Sequence, residues 1–90
     1  MDTAEQCDVV TTFLDGLGRA FGLEVTAHAQ IEDDVLRASI DGSEVGLFIG
    51  PGMATLDAIQ EITRNVLQRH AEGREYAKVV VDVAGVRQMR

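Results

Sequence analysis

Cysteine occurs once in these 90 residues, proline once and tryptophan not at all, and only 4% of the side chains are aromatic. With Cys7 alone no internal disulfide forms and a cysteine-based metal site is excluded. His28 and His70 fall in different segments without ligand spacing, so neither a metal nor a cofactor is expected. The near absence of aromatics means that a core must be assembled from Val, Leu, Ile and Ala. No apolar run approaches the ~20 residues that span a bilayer, and the opening MDTAEQCD has neither the basic nor the apolar stretch of a secretory signal. A cytoplasmic protein without membrane contact, or a piece of one, is the expectation. The length suits one domain, taken as residues 1–90.

Basic side chains are scarce and unevenly placed. The formal net charge is −7. Residues 1–61 hold twelve acids and two bases, whereas residues 62–90 hold six bases and three acids. That balance opposes tight binding of a polyanion, which would have to use the second half or backbone groups.

What is abundant is periodic hydrophobicity. Thr3 and Gln6 form a capping-box pattern, after which Val10, Phe13, Leu14, Leu17 and Phe21 recur at helical spacing up to Gly22, predicting a helix over about 4–21. From Leu23 the period becomes two: Leu23, Val25, Ala27, Ala29 and Ile31 alternate with polar residues. Glu32, Asp33 and Asp34 make an acidic turn into a second alternating run, Leu36, Ala38 and Ile40. Ser43 is placed to cap a short helix over Glu44–Ile49, which Gly50-Pro51-Gly52 ends. A longer helix over about 54–71 should face Leu56, Ile59, Ile62, Val66 and Leu67 inward, and Gly73 closes it. Ala77, Val79, Val81 and Val83 predict a third strand, followed by a basic tail with Arg87 and Arg90. The expected core is Phe13, Leu17, Leu23, Val25, Ile40, Ile59, Val66, Val79, Val81 and Val83.

Helix, strand, strand, helix, helix, strand, with a glycine turn between the last two helices, resembles the type II K-homology (KH) fold: α+β, a three-stranded sheet with three helices on one face. A narrower resemblance is carried by residues. The run Phe48-Ile49-Gly50-Pro51-Gly52-Met53-Ala54-Thr55-Leu56-Asp57-Ala58-Ile59-Gln60-Glu61-Ile62-Thr63 is similar to the Jag-family segment that reads apolar-apolar-G-x-x-G-x-x-L-D/E-A-L-Q-x-L-T. Val81-Asp82-Val83-Ala84-Gly85-Val86-Arg87-Gln88-Met89-Arg90 is similar to that family's L-D-V-x-G-Y-R-x-x-R exit, and Phe13-Leu14-Asp15-Gly16-Leu17 resembles its first helix. The resemblance implies a bacterial KH domain that binds single-stranded RNA, in proteins linked to cell elongation and division, where an R-x-x-x-H domain follows.

A KH loop holds single-stranded backbone because two glycines let the main chain approach phosphates beside a helix N-terminus. Here Gly50 matches the first glycine, but Met53 stands at the second, Gly52 falls one position early, and Pro51 removes an N–H. No Lys or Arg lies in the turn, and Asp57 and Glu61 follow it. The implied RNA site is therefore Gly50, Pro51, Gly52 and Met53, with Arg37 on the outward face of the second strand as a further candidate, and weak binding is expected. Arg64 and Arg69 on the second half of the long helix either extend an RNA track or balance Glu61, Glu72 and Glu75, and balance is the favoured reading. The alternative is a KH-like fold that has lost its cradle and serves as a protein-interaction module, as a homodimer or with another KH protein. An enzyme is not expected: the adjacent Asp33 and Asp34 have no His, Ser or Lys arranged around them.

Overall fold

The computed structural model describes residues 1–43 and 45–85. Helix α1 spans Thr3–Ala20, strands β1 and β2 span Val25–Glu32 and Val35–Gly42, and two short 3-10 turns cover Val45–Phe48 and Pro51–Met53. Helix α2 (Ala54–Ala71) and strand β3 (Lys78–Val83) complete the order. The sheet runs β1-β2-β3, with β1 antiparallel to β2 and β2 parallel to β3. This is the α+β architecture of a type II KH-like domain, helix-strand-strand-helix-helix-strand.

Alternation decides the faces. Ala27, Leu36, Ala38, Ile40, Val79, Val81 and Val83 are buried against Val10, Leu14, Phe48, Leu56, Ile59 and Leu67 from the helical layer. The opposite face of the sheet is open and carries exposed Thr26, His28, Gln30, Arg37 and Lys78. Phe13, Leu17 and Val25 are half-buried at the margin of the core, and Val66 is half-buried on the flank of α2.

Several local details differ from the sequence expectation. The cap of α1 is Asp2, whose carboxylate accepts from the Glu5 amide at 2.7 Å, so the helix starts a residue earlier than a Thr3 cap allows. Gln6 is not part of a capping box: buried, it accepts from the Ala77 amide at 2.7 Å and donates to the Met1 carbonyl at 3.1 Å, tying α1 to the entry of β3. At the other end the Leu23 amide donates to Gly18 and that of Gly22 to Arg19, a Schellman stop that holds Leu23 out of the strand, with Gly22 at φ 72°. On α2 the inward stripe is Leu56, Ile59, Thr63, Leu67 and Ala71. Ile62 is 51% exposed, because the 3.6-residue period carries the stripe through position 63. The Thr63 hydroxyl donates to the Ile59 carbonyl at 2.7 Å and so enters the core satisfied. The short helix is a 3-10 turn over Val45–Phe48; Glu44 and the basic tail with Arg87 and Arg90 lie outside the described residues. No helix among the described residues is long and apolar enough to cross a membrane.

Candidate nucleic-acid interface

Gly50 to Met53, which contains the second 3-10 turn, joins the first to α2 through three residues with positive φ: Gly50 at 71°, Gly52 at 58° and Met53 at 65°. Gly50, with ψ 172°, occupies a region that is essentially glycine-only. A Cβ built there would overlap the Thr55 hydroxyl and stand 2.9 Å from Thr55 Cβ. Around Gly52 nothing lies within 4 Å, so that position needs glycine for its backbone angle alone. Met53 is left-handed although it is not glycine, and its side chain packs against the core. Position 53 thus has the backbone conformation that glycine favours, occupied by a residue that pays in strain.

Nearby carbonyls engage part of the donor set at this turn and the start of α2. Met53 donates to the Gly50 carbonyl at 3.2 Å, Ala54 to Pro51, and Leu56 to Ile49 at 3.2 Å, while Pro51 has no donor. No cation occurs between Val45 and Thr63, and the exposed Asp57 occupies the first turn of α2. The first base beyond, Arg64, forms an ion pair with Glu61, as the reading of charge balance expects. The hydrogen bond and charge of Arg64 hold the Glu61 carboxyl below the usual carboxylate range. Arg69 makes no salt bridge among the described residues.

No family model matches the chain, and no curated protein does.

Arg37 does point outward, but not toward the turn. It sits between Gln30 of β1 and Val80 of β3 on the open face of the sheet, in a shallow depression of about 420 Å³ lined also by His28, Ser39 and Asp82. Leu36 and Ala38 on either side of it are buried, so the thickness of the sheet separates Arg37 from Gly50–Met53, and the five candidate residues do not form one surface. Sequence reasoning passed over Thr55, which sets the close approach at Gly50, and Gln60, whose Oε1 accepts the Val81 amide at 3.0 Å along the edge of β3. Asp15 does the same for the Ala27 amide of β1 at 2.9 Å. Both Asp15 and Gln60 lie inside the motif runs, which was the available signal. Beside the turn, Phe21 and Leu47 are 61% and 67% exposed, and the Phe21 ring stands 5.8 Å from that of buried Phe48. Among the described residues no cluster of His, Cys, Asp or Glu is arranged to hold a metal ion.

Proposed function

We propose that this is a KH-like domain that holds single-stranded RNA weakly through the Gly50–Met53 turn, and that the Jag resemblance reflects kinship with proteins linked to bacterial cell elongation and division. The observation that supports this is the left-handed backbone of Met53: the turn retains the geometry that a second glycine would adopt. The local bonds of the Met53, Ala54 and Leu56 amides and the missing cation argue that affinity is micromolar or poorer and fades between low and physiological salt. The test is fluorescence anisotropy on a short unstructured RNA. Met53→Gly combined with Gly52→Lys should tighten binding several-fold, since backbone and cation both come closer to phosphate. Gly52→Asp should weaken it. Equal affinities for all three folded proteins would end the case for RNA at this turn.

A second reading has its own observation. Exposed Phe21 and Leu47 beside a turn that has no Lys or Arg and whose Met53 amide is already bonded suit an apolar partner surface better than a phosphate chain. On that reading the domain is a protein-interaction module, RNA titrations stay flat, and Leu47→Asp abolishes capture of the partner.

A further inference from the structure

The two edges of the sheet are treated differently. Along β3 the outward Val81 amide meets Gln60 and the Val83 amide meets the Asp82 carboxylate, so side chains occupy that edge. Along β1, among the described residues, a side chain covers only the Ala27 amide, that of Asp15. Because Ala27 points its amide away from β2, the alternation of an antiparallel pair turns the backbone groups of Ala29 and Ile31 the same way. Helix α1 crosses the sheet obliquely: Gln6 is bonded at the entry of β3, whereas Asp15 reaches the outer edge of β1. The helix therefore overhangs Ala27, whereas Ala29 and Ile31 are half-buried with no side chain among the described residues bonded to their amides, and Ile31 shares a surface depression with Met1, Thr3 and Gln6 at the helix's start.

We propose that this edge pairs with the same edge of a second copy of the chain, antiparallel about Gln30, to make a six-stranded sheet. Of the symmetric registers, the one centred on Gln30 places Ala29 opposite Ile31 of the other copy and uses the outward groups of both residues on each strand, four backbone hydrogen bonds in all. A register centred on Ala29 would set Ala27, already bonded to Asp15, against the partner. The Gln30 register also pairs side chains sensibly on the open face: Gln30 meets its own counterpart, and His28 faces Glu32 of the other copy twice over. The imidazole donates a hydrogen bond in either protonation state and the carboxylate accepts. Neither residue has a charged cross-strand neighbour within its own sheet, since His28 pairs with Ser39 and Glu32 with Val35. The surface is separate from the glycine turn, so this inference stands or falls independently of RNA binding.

Sedimentation equilibrium on the whole chain, from micromolar to about one millimolar, tests it. The expected result is a reversible monomer–dimer equilibrium. His28→Glu sets two carboxylates opposite each other at both symmetric positions and should weaken the dimer about tenfold. Adding Glu32→Lys to that variant restores opposite charges and should recover the affinity. Ala29→Pro removes one outward donor that β2 does not use, and should give a folded monomer, verified by its thermal melt. A chain monomeric throughout the range overturns the proposal. So does a dimer indifferent to His28→Glu, or a double variant no tighter than the single one.

Discussion

Gly50 has two independent reasons to be glycine, the backbone angles and the Thr55 side chain against its α-carbon, and they add. Gly50→Ala should therefore cost roughly 2 kcal/mol or more and lower the midpoint of thermal unfolding by at least ~8 °C. Gly52→Ala, with open space around it, should cost only about 1 kcal/mol. Met53→Gly releases left-handed strain but gives up packing against the core; the two effects oppose each other at about 1 kcal/mol each, which leaves the variant a clean probe of binding. Cys7 is half-buried on α1, and burial together with the neighbouring Asp8 raises its thiol above the ordinary range. At pH 8 it should react with iodoacetamide more slowly in the folded chain than in urea, because less thiolate is present.

Among the elements, the strands were legible because a period of two leaves little choice of face: every predicted inward residue of β2 and β3 is buried. Helix α2 was legible in extent but not in orientation. Hydropathy favours Ile62 over Thr63, and a hydroxyl satisfied by the Ile59 carbonyl has no signature in composition. The same limit applies to the candidate site: alternation places Arg37 outward, yet nothing in the chain's order says that the glycine turn belongs to the other side of the sheet. In the hairpin, Asp33 and Asp34 both have positive φ, 54° and 62°, the type I′ geometry that Asn-Gly fits best. Asp33→Asn with Asp34→Gly should stabilise the domain by about 1 kcal/mol, read as a higher denaturant midpoint at unchanged slope. Val81 is fully buried at the centre of the parallel pair, so Val81→Asp should abolish the cooperative melt; a soluble variant that still melts cooperatively would contradict the face assigned to β3.

At the scale of the whole molecule, long-range polar ties close the first turn of α1 onto the segment before β3. The Met1 amine donates to the Glu75 carbonyl at 2.9 Å, Gln6 bonds to Ala77, and Arg74 reaches Glu5 at 3.3 Å while capping the carbonyls of Ala71 and His70. The exposed Arg74–Glu5 pair adds little by itself. Gln6 matters more: Gln6→Leu leaves the buried Ala77 amide without its acceptor and should destabilise by roughly 1–3 kcal/mol. The pairing of Val35 with Lys78, across the whole of α2, has a temporal consequence. The β1–β2 hairpin closes through a two-residue turn and can form within microseconds, whereas the parallel contact must wait for a long loop to close. The last strand therefore docks late, onto a hairpin already carrying α1. Weakening the hairpin should slow refolding, while weakening β3 should chiefly hasten unfolding, so the durability of the native state over time is set by its final strand.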